Sequence, residues 1–316
     1  MYGDPVLPPL VSAIVPTFNS AATIERALRS IAAQTYGAIE VIVADDASRD
    51  ATVAVAGRWR ERPIQIVQLP HNQGPAGARN AALEAARGKY VSFLDADDEW
   101  LPDKIAREVD ALERQPSASM AVCDAIWLRN GTVVSRIFAD DQPVAGPDAW
   151  KSLLAYSFIA TPCVMARREV VDRVGRFDRS LLIAQDQDLW IRLALAGEVA
   201  VVDEVLVRLH LAETSHISRN ARRESEFLLP MIERHVAAQR SRLSDAEVRS
   251  ILGRRLTQIG RNAYGGGQKL LGLRLLARAI ALGWEPMANF CFPLHAAGPG
   301  RYLKDTVRQL LVRTAK

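Results

Sequence analysis

A chain of 316 residues that is 49% apolar has room for one large α/β domain with a real core and a smaller appendage. No run of roughly 20 apolar residues occurs, so no transmembrane helix is predicted, and Met1 to Pro9 lacks the basic and apolar regions of a signal peptide. The three cysteines, Cys123, Cys163 and Cys291, are odd in number and form no CxxC or Cys/His metal spacing, which predicts reduced thiols in a cytoplasmic protein.

The first hundred residues alternate strand and helix. Strands are expected near 11–16, 39–44, 64–69 and 89–94, and helices near 20–34, 50–61, 76–87 and 102–115, with Asp50 as the N-cap of the second helix. Continuous apolar strands joined by helices imply a parallel sheet covered on both faces. The pattern then changes. Ala118 to Leu128 and Thr132 to Phe138 flank Arg129-Asn130-Gly131, a hairpin signal, so the sheet becomes mixed. A short helix is expected at 147–156, a strand at 161–166, a helix at about 186–196 and a strand at 199–207. From about 220 the chain reads as helices with polar joints, the clearest being Tyr264-Gly265-Gly266-Gly267-Gln268. Leu270 to Leu282 is a helical run, 287–300 is loop-like, and Tyr302 to Lys316 is amphipathic, with Leu303, Val307, Leu310 and Leu311 on one face.

Charge divides the same way. Residues 219–316 hold 18 Lys/Arg and 7 Asp/Glu, or +11, against 22 and 29, or −7, for residues 1–218, within a total of +4. An acidic front suits a site that binds a metal before a diphosphate. A basic rear suits an anionic partner, a phospholipid surface or a phosphorylated acceptor rather than nucleic acid; an Arg-rich solvated helical surface accounts for the charge as well.

The densest chemistry is Leu94-Asp95-Ala96-Asp97-Asp98-Glu99-Trp100, directly after the strand Lys89 to Leu94. The C-terminal ends of strands are where open α/β sheets bind ligands. Clustered carboxylates raise one another's pKa unless a cation neutralises them, and such oxygen sets suit Mg²⁺ or Mn²⁺ held together with a substrate diphosphate. Taken alone, the stretch reads better as a polar loop capping the next helix, with Pro102 at its first turn. Upstream, Val11 to Asn19 reads as strand then turn. Phe18 is placed to flank a nucleotide base, with Pro16, Thr17 and Asn19 in the turn beside it; core packing is the other reading of Phe18. Asp45 ends the second strand, Ile39 to Asp45, and is placed to accept a base N–H, while Asp46 orders the turn with Ser48. Arg79, in Asn72 to Asn80, opens a helix whose N-terminus favours anions; an ordinary surface ion pair is its other reading. Downstream lies Gln185-Asp186-Gln187-Asp188-Leu189-Trp190.

This ordered set, over about residues 11 to 215, resembles the family 2 glycosyltransferases, which have the GT-A fold. The resemblance implies an α/β catalytic domain over 1–218, a Rossmann-like mixed sheet flanked by helices, followed by a basic helical C-terminal region over 219–316 that no recognised family pattern covers. It implies that Asp45 contacts the nucleotide base, that Arg79 lies near the nucleotide, that Asp97 ligates Mn²⁺ or Mg²⁺ with Asp95 on the ribose or the metal, and that His210 stands near the metal or phosphates. It makes Asp186 the catalytic base. Gln185 departs from the family's usual Glu, which puts that carboxylate's role in doubt; Asp188 is assigned to the helix N-terminus and Trp190 to the core. The expected activity is inverting, metal-dependent transfer of a single sugar from a nucleotide sugar, most simply a UDP-sugar, to a saccharide or lipid-linked hydroxyl acceptor in polysaccharide or glycolipid synthesis. The expected location is the cytoplasm, or peripherally the inner face of the membrane. Processive members carry Gln-x-x-Arg-Trp, and here Arg58-Trp59 lacks the glutamine and precedes the acidic motifs. Two alternatives are a sugar-nucleotide pyrophosphorylase, disfavoured by Pro16-Thr17-Phe18-Asn19-Ser20 where a Gly-rich basic loop is expected, and a binding protein without catalysis.

Overall fold

The structure, a computed structural model, describes residues 7–140, 142–211 and 221–284. These fall into two compact units: those of Met1–Leu153 with Ser157–Ser215, and those of Leu154–Tyr156 with His216–Lys316.

The first unit runs β1 (Val11–Thr17), α1 (Ile24–Ala32), β2 (Ile39–Asp45), α2 (Thr52–Gly57), β3 (Ile64–Gln68), α3 (Gly74–Ala85), β4 (Tyr90–Phe93), β5 (Glu99–Trp100) and α4 (Lys104–Arg114). It continues with β6 (Ala118–Arg129), β7 (Thr132–Arg136), α5 (Ile137–Asp140), α6 (Ala149–Ala155, whose last two residues are counted with the second unit), β8 (Val164–Arg167), α7 (Arg168–Val174), α8 (Gln185–Ala196) and β9 (Glu198–Leu211). Among the described residues the strands form one sheet in the order β3-β2-β1-β4-β8-β6-β9-β5, with β7 on β6. The first four strands pair in parallel. Antiparallel β8 then separates β4 from β6, and long β9 lies parallel to β6. The chain leaves β1 for β2 on one side and reaches β4 on the other, so the order reverses beside β1, where a sheet of this type opens a ligand crevice.

The central strands are apolar on both faces because helices cover both. Ile24, Ala27, Leu28 and Ile31 of α1 recur at helical spacing and bury with Val11, Ala13, Val15, Val41 and Val43. On the opposite face Phe93 meets Phe177 and Trp190, with ring centroids 5.4 and 5.7 Å away, so Trp190 is a core residue. The hairpin joining β6 and β7 turns through Asn130 and Gly131, at φ 51° and 77°. Two residues in the left-handed region make the turn whose twist matches paired strands.

Several elements differ from the sequence expectation. The second helix is shorter, Thr52–Gly57, with Ala51 at its N-cap; Asp50 instead accepts from the amides of Thr52 at 2.9 Å and Ala21 at 3.1 Å. Residues 161–163, expected as strand, form a 3₁₀ turn before β8, because Pro162 has no amide to offer a ladder. Helix α7 and two-residue β5 lie where no element was expected, being too short for periodicity to register.

The second unit holds α9 (Ala221–Arg223), a π turn at Glu224–Leu228, α10 (Leu229–Ala238), α11 (Asp245–Gly265) and α12 (Lys269–Ala281). Ser244 and Glu247 form a capping box that starts α11. The 264–268 joint breaks the chain between α11 and α12 as expected. The two helices close tightly: a Cβ on Gly272 would stand 2.7 Å from the carbonyl oxygen of Gly260. No helix among the described residues is long and apolar enough to cross a membrane. Cys123 and Cys163 are buried free thiols. Cys291, the 287–300 loop and the amphipathic 302–316 stretch lie outside the described residues.

Candidate active site

The parallel strands deliver the expected residues to one edge. Thr17 and Asp45 are register partners at the last positions of β1 and β2. The chain leaves β4 at Leu94, whose amide still bonds Ile14, and turns into Asp95. Asp45 is 3% exposed. Its Oδ2 accepts the Ser48 amide at 3.1 Å, while its Oδ1 and the Thr17 Oγ1 are buried with no hydrogen-bond partner. The turn is thus ordered by Asp45, not by Asp46 as expected; Asp46 Oδ1 accepts from the Gln73 amide at 2.7 Å and ties the turn to the start of α3. The reason is direction: Asp45 shares its strand face with Thr17 and Val43, and its short side chain folds back over the turn.

Asn19 sits at φ 50° and braces the same turn, its amide on Ser48 Oγ at 2.9 Å and its Oδ1 on the Arg49 amide at 2.8 Å. Phe18 is 46% exposed, so core packing does not account for it. Pro16 is partly buried.

Arg79 is no surface ion pair. It is 6% exposed, lies 5.5 Å over the Phe177 ring, and places Nη2 2.6 Å from Asp95 Oδ1, while its Nε is buried without a partner. Phe177 is held in turn by a reciprocal pair of bonds to Asn80, 2.8 and 3.0 Å.

The acidic loop has a built interior. Asp98 is 7% exposed, and its Oδ1 accepts the His210 amide at 2.9 Å, pinning the end of β9. Burial first, then the charges of Asp95 and Asp97, push its carboxyl up to about 8. Asp97 opens to solvent, yet crowding by neighbouring protein atoms and then the Asp95 charge raise its pKa. Arg26 donates to the Asp97 carbonyl and pairs with Glu99 at 3.4 Å. His210 Nε2 lies 2.8 Å from Glu99 Oε1. Among the described residues no ready-made group of three or more His, Cys, Asp or Glu side chains is arranged around a metal. What the loop offers is two carboxylates, Asp95 and Asp97, whose mutual repulsion a cation would relieve. That donor set fits Mg²⁺ or Mn²⁺, which take oxygen ligands and are commonly held by one or two carboxylates plus substrate phosphates.

Asp186 arrives from the other half of the sheet, on the first turn of α8. Its Oδ1 accepts the Gln187 amide at 2.8 Å and its Oδ2 the Thr161 hydroxyl at 3.0 Å. The Phe93–Phe177–Trp190 cluster joins α8 to the Arg79 side, with Phe177 and Trp190 centroids 6.1 Å apart. Asp188 lies in the first turn of α8, as expected, and is also buried in an ion pair with Arg192, 2.6 Å. Gln185 is buried with its Oε1 unpartnered. The contacts of Asp98, Glu99, Arg26, Phe177 and Thr161 were not legible in the sequence. Each reaches across the fold to another segment, and no local spacing signals such a pairing.

The glycosyl transferase family 2 model matches residues 12–175. A protein of Bacillus subtilis named as a teichuronic acid biosynthesis glycosyltransferase, TuaG, is 31% identical over 232 residues, 72% of this chain and 89% of its own length. Among solved structures, S. aureus TarS 1-349 in complex with UDP-GlcNAc superposes with a TM-score of 0.69 at 22% identity, covering 86% of this chain and 81% of TarS 1-349. The mannosyltransferase PcManGT of Pyrobaculum calidifontis, in complex with GDP-Man and Mn²⁺, gives 0.61 at 23% identity, covering 98% and 82%. The fold is GT-A, and transfer is thereby preferred over the pyrophosphorylase and binding-only alternatives: this chain belongs to glycosyl transferase family 2 and is a glycosyltransferase.

Proposed function

We propose that this enzyme moves one sugar, with inversion, from a UDP-sugar to a hydroxyl acceptor, aided by a divalent cation. The observation that carries the reading is the pair of buried, partnerless polar atoms at adjacent strand ends, Asp45 Oδ1 and Thr17 Oγ1. A buried polar atom without a partner costs roughly 1–3 kcal/mol, and a ligand that supplies one recovers it. One acceptor beside one hydroxyl matches uracil, whose N3–H donor is flanked by carbonyl acceptors. Guanine offers two adjacent donors that call for both carboxylate oxygens, and Asp45 Oδ2 is already engaged by Ser48. Phe18 then covers the exposed base face, while Pro16 and Asn19 hold the turn that carries it.

Arg79 and the N-terminus of α3 attract the diphosphate. Asp97 and Asp95 would hold Mn²⁺ or Mg²⁺, with His210 beside them; when bound, the cation neutralises charge developing on the leaving diphosphate. Asp186 removes the acceptor proton as the acceptor oxygen attacks C1 and the bond from C1 to the diphosphate breaks. One displacement inverts the anomeric centre. The domain division of 1–218 and 219–316 belongs to this reading, the first part catalytic and the second a basic region that meets an anionic acceptor or membrane surface. A lipid-linked or polysaccharide acceptor fits the biosynthetic role named for the B. subtilis relative, and the cytoplasmic membrane face is where such acceptors are met.

Calorimetric titration of the full chain with UDP, GDP and CDP, with and without Mn²⁺, tests the reading. UDP is expected to bind tightest, with Mn²⁺ strengthening it, and Asp97→Ala is expected to abolish the Mn²⁺ effect without unfolding the protein. Equal affinity for UDP and GDP would overturn the base assignment. A Mn²⁺ effect that survives in Asp97→Ala would remove Asp97 from the metal site.

A further inference from the structure

We propose that Thr161 is a positioning residue that fixes the attitude of the Asp186 carboxylate; the inference rests on the reading of Asp186 as the base. A carboxylate on the first turn of a helix has a choice. It can fold back onto the helix's own free amides or turn outward to a substrate. Asp186 does the first with Oδ1, on the Gln187 amide at 2.8 Å. That single bond leaves the carboxylate plane free to rotate about it. The second bond, from Thr161 Oγ1 to Oδ2 at 3.0 Å, comes from a different element and fixes the plane.

Thr161 is built to hold still. It is 5% exposed and opens the 3₁₀ turn Thr161–Cys163. Its branched Cβ restricts χ1, and the Pro162 ring fixes the next φ. The turn is closed by the Cys163 amide on the Ala160 carbonyl at 2.9 Å. Two outside bonds anchor it. Trp100 Nε1 donates to the Pro162 carbonyl at 2.9 Å, and Ser92 Oγ donates to the Val164 carbonyl at 3.0 Å. Trp100 is the residue after Glu99 at the end of the acidic loop, and Ser92 lies in β4, which leads into that loop. A continuous set of bonds therefore runs from the acidic loop through Trp100, Pro162 and Thr161 to Asp186. Two groups that must act together, one on the donor diphosphate and one on the acceptor hydroxyl, share a rigid turn. No signal in the sequence marks this, since Thr161 lies 25 residues from Asp186 and in no acidic motif.

The test uses hydrolysis as the simplest transfer. Water's oxygen bonds to C1, the bond from C1 to UDP breaks, and the proton passes to Asp186. UDP release from UDP-glucose and UDP-N-acetylglucosamine with Mn²⁺ is measured for the wild type, Thr161→Val, Thr161→Ser and Asp186→Asn, together with thermal melting. Thr161→Val keeps the shape and removes the hydroxyl. It is expected to lower kcat roughly 10- to 100-fold, the scale of a small misplacement of a reacting group, with KM for the nucleotide sugar and the melting temperature nearly unchanged. Thr161→Ser is expected to restore kcat. Wild-type kcat in Thr161→Val while Asp186→Asn is inactive overturns the positioning role and leaves the base standing. A loss that Ser does not rescue, or that appears mainly in KM or in melting, reduces Thr161 to a packing residue. Wild-type turnover by Asp186→Asn overturns the base reading itself.

Discussion

Two sets of buried polar groups lie in and against the same sheet and are treated differently. Against β4 and β6, Lys104 and Glu108 are each fully buried and answer one another at 2.5 Å; Lys104 Nζ also donates to Ser92 Oγ at 2.8 Å and lies 4.5 Å over the Trp100 ring. At the strand ends, Asp45 Oδ1, Thr17 Oγ1 and Arg79 Nε are as deeply buried but have no partner. A buried charge that is paired inside the fold serves the fold. A buried polar atom left unpaired at the strand ends, where such sheets bind ligands, is available to one; in the core, Trp190 Nε1 and Glu108 Oε1 are also buried without a hydrogen-bond partner. What marks the second set is the missing partner together with its place at the strand ends, and the two sets should respond to mutation in different observables.

The largest effect is expected at the paired set. Lys104→Met conserves volume but leaves Glu108 without its cation, and breaking a buried pair from one side costs about 3–5 kcal/mol. Urea unfolding at pH 8 should show that loss, while the folded protein keeps its affinity for UDP. If stability holds and UDP affinity falls instead, Lys104 belongs with the site and the contrast collapses.

The sequence made the strand-end set legible and hid the paired one, for a physical reason. Asp45, Arg79, Asp95, Asp97 and Asp186 each follow a strand or open a helix, so a local pattern of apolar run then polar residue marks them. The first four strands and the hairpin at Asn130-Gly131 were legible on the same ground. Lys104 and Glu108 look like any helical Lys–Glu pair four residues apart, normally a solvated feature; only burial beneath β6 makes them different. The same limit concealed β5, whose two residues gain their strand character from β9 more than a hundred residues later, and the exchange of roles between Asp45 and Asp46.

At the partnerless set the response should be specificity, not stability. In Asp45→Asn the new side chain can keep the Ser48 bond with its carbonyl oxygen, which leaves an NH₂ where a free acceptor stood. Uracil N3–H then meets a donor, whereas cytosine N3 meets a partner. UDP affinity is expected to fall roughly 10- to 50-fold, the scale of one lost bond to a charged group, and CDP should gain on UDP, with melting nearly unchanged. Comparative titration of the two nucleotides reads this directly. A ratio that does not move would mean Asp45 does not face the base edge.

The smallest effect is a pH slope, and it sharpens the paired side of the contrast. Burial pushes Glu108 up to about 7, with Lys104 pulling the other way. Its carboxyl is ordinary, near 4.5, when the chain unfolds. Between those values the native state keeps a proton that the unfolded state has released. The native state thus binds more protons, and stability must fall as pH rises through that window, by at most about 1.4 kcal/mol per pH unit. Asp98, also raised, adds a slope of the same sign that continues to about 8. Glu40 and Glu113 are lowered and act in the opposite sense only below the ordinary carboxylate range. The wild type minus Glu108→Gln difference therefore isolates Glu108. Glutamine imitates the protonated acid and can still accept from Lys104. The two proteins should be about equally stable near pH 5, and the mutant should gain on the wild type as pH approaches 7. Parallel stability curves across that range would show that Glu108 remains ionised beside Lys104 throughout, a pair strong enough to overcome its own burial.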